Sequence, residues 1–351
     1  MNFIKKINVL AIMMMAAHFC VAQIDTKATK ETKQLYQSLQ QYQDQRILFG
    51  HHFTDIYGCD PAPWSDHKLQ NKSDLQHTYG VYPAVYSYDF GKDSFTKFAP
   101  AARQAYKNGA IITVSWHGEN PVTGGNSYDT LGRAMSQIVP GGKAHKKFVA
   151  WLDEVAYFAK QVKGPIIFRP FHENTGGWFW WGVNSCTPEE YVAAWRFTVD
   201  YLKNKKKVHN FLYAYSPSKG VYDDRYPGDE YVDICGTDFY GTEDDFPQLF
   251  LGAVRQTVEF ANAHGKIPAL TEFGYRSGMH FCKTEDFYTK LFLEPLLNDP
   301  IASQITFALT WRNSHAEKYW VPLQEDDFYE DFKKFVAHPS TIFLRDNAKA
   351  N

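Results

Sequence analysis

Two glutamates stand where a carboxylate is expensive. Glu173 closes the run Ile166-Ile167-Phe168-Arg169-Pro170-Phe171-His172-Glu173, and Glu272 lies inside Ala269-Leu270-Thr271-Glu272-Phe273-Gly274-Tyr275. Both runs are otherwise largely apolar, and an uncompensated charge in such a place costs several kcal/mol. An ion pair with Arg169, Arg276 or Arg312 is one compensation. The other is a working pair of carboxyls, one protonated as a general acid and one ionised as a nucleophile, about 5–5.5 Å apart as in retaining glycoside hydrolysis. In that pairing the neighbouring negative charge and partial burial keep Glu173 protonated.

Aromatic residues gather beside the first acid. Gly176-Gly177-Trp178-Phe179-Trp180-Trp181-Gly182 places three tryptophans in a glycine-flanked loop, and at least one is expected at the surface, where an indole face stacks on the C–H face of a sugar. His51, His52, His117 and His172 raise the alternative of a metal-dependent hydrolase. Adjacent strand residues point to opposite faces, however, so His51 and His52 cannot ligate one metal together. Ser216 precedes Pro217 and lies in no Gly-x-Ser-x-Gly elbow, which leaves a serine nucleophile weaker still.

The elements that must position these groups repeat one theme. Eight strand-like runs are predicted at 47–52, 82–90, 110–117, 165–173, 210–216, 233–240, 268–275 and 306–312, with helical patterns at 31–45, 146–162, 187–206, 247–264 and 284–297. Strand and helix alternating eight times predict a single (β/α)8 TIM barrel. An open doubly wound sheet is the rival, but no glycine-rich phosphate fingerprint follows any run. In a barrel the strand ends meet at one mouth, and runs four and seven face each other across it, which brings Glu173 and Glu272 together. The other ends carry His51, His52, Asp89, Trp116, His117, Ser216, Asp238, Tyr240, Trp311 and Arg312.

Composition excludes several classes. The 351 residues are 17% aromatic, with 37 Lys+Arg against 39 Asp+Glu, which speaks against a disordered chain or a nucleic-acid binder. Residues 1–22 read as a cleavable signal: Lys5 and Lys6 precede an apolar run too short to span a membrane, and small residues stand before Gln23. Residues 23–351 are then one catalytic domain, monomeric and secreted or periplasmic, with no membrane span. Cys59, Cys186, Cys235 and Cys282 are optional disulfides or buried thiols, since their spacing matches no zinc pattern.

The segment Arg169–Gly182 closely resembles the acid/base segment of glycoside hydrolase family 26, best known for β-mannanases, and Thr271-Glu272-Phe273-Gly274 resembles its nucleophile segment. Trp116-His117, Asn120-Pro121, Asp238-Phe239-Tyr240-Gly241 and Trp311-Arg312-Asn313 follow in the family's order. The resemblance implies Glu173 as acid/base and Glu272 as nucleophile, with Tyr240 placed to hydrogen-bond Glu272. It implies His117, His172, Trp178, Tyr240, Trp311 and Arg312 as substrate contacts, no cofactor and no metal, and a β-mannan polysaccharide or oligosaccharide as partner. Asn174 and Thr175 depart from the common pattern. The same mechanism on β-glucan or xylan, an exo-like mannobiose-releasing mode, and a non-catalytic glycan-binding barrel remain as alternatives.

Overall fold

The computed structural model describes residues 23–42, 46–58, 73–91, 96–314 and 317–345; the expected signal segment and Cys59 lie outside them. Eight parallel strands form the centre: β1 (Ile47–His52), β2 (Val85–Asp89), β3 (Ile111–Ser115), β4 (Ile166–Arg169), β5 (Phe211–Tyr215), β6 (Ile234–Gly241), β7 (Ile267–Tyr275) and β8 (Phe307–Thr310). Each pairs with the next, and β1 pairs with β8 through Leu48–Phe307 to His51–Thr310, so the sheet closes into a (β/α)8 barrel. A short outer strand, Thr341–Leu344, adds to the start of β1 and pairs antiparallel with Tyr82–Pro83. The single run expected at 82–90 is thereby divided between the barrel and this outer pair.

Alternation along the strands sorts side chains between two environments. Leu48, Val85, Ile167, Leu212, Ile234, Ala269, Phe307 and Leu309 fill the barrel interior. Phe49, Phe168, Cys235, Phe239, Phe273 and their neighbours face outward under the helices. Burying an aliphatic or aromatic side chain of this size contributes about 1.5–3 kcal/mol. The first helix (Lys30–Gln41), capped by Thr29 accepting from the Thr32 amide, packs its buried Tyr36 and Leu39 into the interior cluster.

The long helices fall close to their predicted positions at His145–Val162, Pro188–Asp200 and Leu251–Ala263, the second opened by the Thr187/Glu190 capping box. The segment between β5 and β6 has only a single helical turn, Asp229–Tyr231.

Two local irregularities place the acids. Strand β4 ends at Arg169 because Pro170 has no amide hydrogen for the ladder. The expected run to Glu173 becomes a tight loop with Phe171 and Glu173 both in the left-handed region, at φ 50° and 53°. Such backbone costs on the order of 1–3 kcal/mol per residue. Pins hold it: the Tyr191 hydroxyl donates to the Phe171 carbonyl (2.9 Å), the Trp181 indole to the His172 carbonyl (2.6 Å), and the Glu173 amide to the Ser216 carbonyl (2.7 Å).

In β7, Thr237 pairs with Leu270 but Asp238 pairs with Glu272, so Thr271 is an extra residue. With Ala269 inward and Leu270 outward, simple alternation sends Glu272 out of the barrel. The bulge shifts the phase and turns it inward. Thr271 is secured by its hydroxyl, which donates to Asp238 Oδ1 at 2.6 Å. A Cβ at the facing Gly236 would come within 2.5 Å of the Thr271 methyl, so only glycine leaves room for the bulge.

Candidate active site

The topmost inward positions of the strands converge at the mouth: His52 from β1, Asp89 from β2, His117 after β3, Arg169 from β4, Asp238 and Tyr240 from β6, Glu272 from β7 and Trp311 after β8. Glu272 is clamped from two sides. Buried Arg169 bonds Glu272 Oε1 through Nη2, and through Nη1 it reaches Asp238 Oδ2 at 2.6 Å and Ser216 Oγ at 3.1 Å. The Tyr240 hydroxyl donates to the other Glu272 oxygen at 3.0 Å. Each of its oxygens thus carries a donor, a guanidinium on one and a phenol on the other. The ion-pair and working-pair readings are therefore compatible: Arg169 neutralises Glu272 on one oxygen, while Arg276 pairs with Asp245 and takes no part.

Glu173 has a different environment. It is half-buried, and its Oε2 accepts from the Trp178 indole at 2.8 Å. Burial, reinforced by the negative charge of Glu272, raises its pKa to about 7, against the opposing pull of the Trp178 hydrogen bond, His117 and Arg169. Burial also lifts Asp238 well above the usual carboxylate range, with Arg169 opposing and Glu272 and Glu173 adding to the rise. Glu173 and Asp238 are thus pushed toward protonation, while Glu272 is held by a cation on one oxygen and a phenol on the other. Unequal environments of this kind assign acid and nucleophile roles.

A chain of polar groups lies beside the acids. Asp89 accepts from Ser115 (2.5 Å), the His117 amide (3.2 Å) and His117 Nδ1 (2.7 Å). Burial works against a charge on His117, but Asp89 outweighs it and raises the ring's pKa. His172 is buried and held neutral by burial, with Arg169 and His117 adding to the effect. The two rings meet Nε2 to Nε2 at 3.1 Å. A protonated His117 donates there, which leaves the His172 proton on Nδ1, an atom without a hydrogen-bond partner among the described residues.

The remaining expected contacts line the mouth. Trp178 is exposed, whereas Trp180 and Trp181 are buried anchors whose indoles donate to Gly118 and His172 carbonyls. Trp311 stacks on His52 at 4.0 Å, and Arg312 is held over the Tyr57 ring at 4.9 Å. Trp116, expected at the mouth, is instead buried and stacked on Phe148. Alternation explains this: Ser115 and His117 point inward, so the residue between them points out. His51 faces away from the site for the same reason.

Asn174 and Thr175 brace the loop, bonding the Tyr215 hydroxyl and the Ser218 backbone. Asp89 was visible only as a polar strand end, Asp238 also as the first residue of the Asp238–Gly241 segment, and Trp320 carried no sequence signal. The Trp320 indole donates to the Tyr275 carbonyl, and its ring stands edge-on to Tyr240. Asn313 accepts from the Trp320 and Val321 amides and so fixes that loop.

His172, Asp238 and Glu272 offer ligand atoms within 4.8 Å of one another. Arg169 already bonds both carboxylates, so the cationic position between them is filled by a side chain. Among the described residues Cys186, Cys235 and Cys282 are free thiols.

A closed (β/α)8 barrel with two inequivalent glutamates and exposed indole at its mouth is the architecture of the barrel glycosidases. The comparisons narrow this: residues 24–292 match the family described as Glycosyl hydrolase family 26, and the chain belongs to it. It is 37% identical over 330 residues to a mannan endo-1,4-β-mannosidase of Bifidobacterium adolescentis, covering 82% of this chain and 32% of that protein. An endo-β-1,4-mannanase of Cellulomonas fimi superposes with a TM-score of 0.85 at 36% identity, over 92% of this chain and 77% of the other. A β-mannanase of Bacteroides ovatus gives 0.82 at 33%, over 91% and 96%. The chain spans between 32% and 55% of the length of the first three curated relatives it matches.

Proposed function

We propose that the protein is an endo-acting β-1,4-mannanase that hydrolyses mannan, glucomannan or galactomannan by double displacement. The observation that carries this reading is the unequal pair: Glu173 with its pKa raised to about 7, and Glu272 held by Arg169 and Tyr240. Glu272 attacks the anomeric carbon while Glu173 gives its proton to the departing glycosidic oxygen. Esterification of Glu272 then removes the negative charge that helped hold the proton on Glu173. Its pKa falls, and as a carboxylate it takes a proton from the water that releases the sugar. Trp178, Trp311 and Arg312 line the rings on either side of the bond, and buried His172 backs the His117 ring.

Glu173→Ala and Glu272→Ala, each purified and shown to be folded, are expected to lose several orders of magnitude in mannan turnover. Parallel assays on mannan, glucomannan, galactomannan, β-glucan and xylan decide the polymer, and a preference for β-glucan or xylan overturns the mannan assignment. Residues 1–22 are proposed as an export signal, with the mature protein secreted or periplasmic. An exported protein whose mass begins at Gln23 is the expected result.

A further inference from the structure

The end of the barrel away from the mouth is crossed by the first of the described residues. The Ile24 amide donates to Asp233 Oδ1 (2.9 Å), His209 Nδ1 bonds Asp25 Oδ2 (2.7 Å), and the Lys27 amide donates to Asp25 Oδ1 (2.9 Å). The Thr29 amide then donates to the His209 carbonyl (2.9 Å), and the helix Lys30–Gln41 follows. His209 and Asp233 stand just before β5 and β6, so residues 24–29 form a clasp across the starts of two strands. The helix behind the clasp presses Tyr36 and Leu39 into the barrel interior. This face of a barrel serves its stability rather than its chemistry.

Gln23 enters the clasp, and its open form is badly matched to the place. The residue is half-buried, and both polar atoms of its side chain, Oε1 and Nε2, are buried with no hydrogen-bond partner among the described residues. An amide buried in this way is destabilising. Removal of residues 1–22 adds an α-ammonium to the same residue. The nearby carboxylate is already occupied: Asp233 accepts from the Ile24 amide on one oxygen and the Tyr213 amide on the other, at 2.9 Å each. Burial raises its pKa to about 6 against the pull of those two bonds.

We propose that Gln23 is a modification site: once the signal is cut, its α-amine closes on its own side chain to a pyroglutamyl lactam, and this uncharged ring is the terminus seated in the clasp. The proposal rests on the export reading of residues 1–22. The neutral α-amine attacks Cδ, so that the N–Cδ bond forms and the Cδ–Nε2 bond breaks. Nε2 leaves as ammonia with the proton that the amine gives up, and no oxidant or second reactant is needed. An α-amino group titrates at about 7.7–8.0, so the neutral nucleophile is present at neutral pH. Closure removes the terminal charge and the unpartnered NH2 group together, the two features that the clasp leaves unsatisfied.

The test is the intact mass of the protein recovered from a host that exports it and cuts the signal. The expected mass is that of residues 23–351 less one ammonia, about 17 Da, with a terminus closed to sequential degradation until a pyroglutamyl peptidase removes the ring. Gln23→Asn has a side chain one carbon too short to close such a ring. It is expected at its full mass with a readable terminus, to melt at a lower temperature than the wild type and to exchange its Ile24 amide faster. A wild-type terminus that stays open at Gln23, whether free or as a counter-ion to Asp233, overturns the lactam and leaves the export reading standing. Equal Tm and equal Ile24 exchange in the two proteins overturn its seat in the clasp. A mass beginning at any other residue removes the cleavage reading and the proposal with it.

Discussion

The Trp178–Glu173 hydrogen bond makes a quantitative prediction about pH. Glu173 must be protonated to act as the acid, and its pKa is raised to about 7. Its acid form is therefore fully present well below that value and lost as pH rises through it, so kcat/KM should show an alkaline limb near pH 7. The indole N–H, 2.8 Å from Oε2, stabilises the carboxylate and pulls this pKa down. Trp178→Phe keeps a ring for stacking but removes the donor, so the limb should move to higher pH. A hydrogen bond to a charged group is worth about 1.5–3 kcal/mol. Trp178 is 41% exposed, so water replaces much of the loss. The remaining effect, about 1 kcal/mol, corresponds to roughly half to one pH unit upward. The assay is the pH profile of kcat/KM on a soluble mannooligosaccharide at constant ionic strength. The height of the profile also falls as a substrate contact changes, but only its position tests the argument. A limb that stays in place or moves to lower pH refutes it.

Other perturbations follow from the same geometry. Arg169→Met leaves two buried carboxyls without their cation, and chemical denaturation should show a loss of about 3–5 kcal/mol together with loss of activity. Gly274→Ala places a methyl against the Trp320 indole, which approaches within 2.5 Å at Nε1, and beside Tyr240. Overpacking of this kind costs about 1–3 kcal/mol, and kcat should fall with Tm as Tyr240 is displaced from Glu272. Asp89→Asn removes the charge that favours the His117 imidazolium. An NMR titration should then place the His117 imidazolium pKa lower than in the wild type, and an unchanged value contradicts the network.

The barrel was legible because its eight runs and their spacing follow directly from period-two and period-3.6 patterning. The meeting of both glutamates at the mouth was legible because a carboxylate in an apolar run has few explanations. Other features were hidden for particular reasons. The bulge at Thr271 is a change of phase, and a strand read by composition alone gives no sign of it. Pro170 did announce the end of β4, but the left-handed turns at Phe171 and Glu173 depend on pins from Tyr191, Trp181 and Ser216, which lie further along the chain. Trp116 could have been assigned to the core from alternation, because Ser115 and His117 on either side of it face the mouth. The Trp178–Trp181 run was expected to put at least one indole at the surface, with no sign of which. Its members divide into one exposed face and two buried donors, because the loop carbonyls at Gly118 and His172 need partners. Trp320 acts through Tyr240 across a loop junction, a relation that no local pattern encodes.

The central claim is that Glu272 and Glu173 share a double displacement on β-1,4-mannosidic bonds. Proton NMR of the first product formed from mannohexaose, recorded before mutarotation, tests it most directly. Two inversions at one carbon predict the β-anomer at the new reducing end. The α-anomer appearing first, or intact mannohexaose with active enzyme shown on another polymer, would contradict the account.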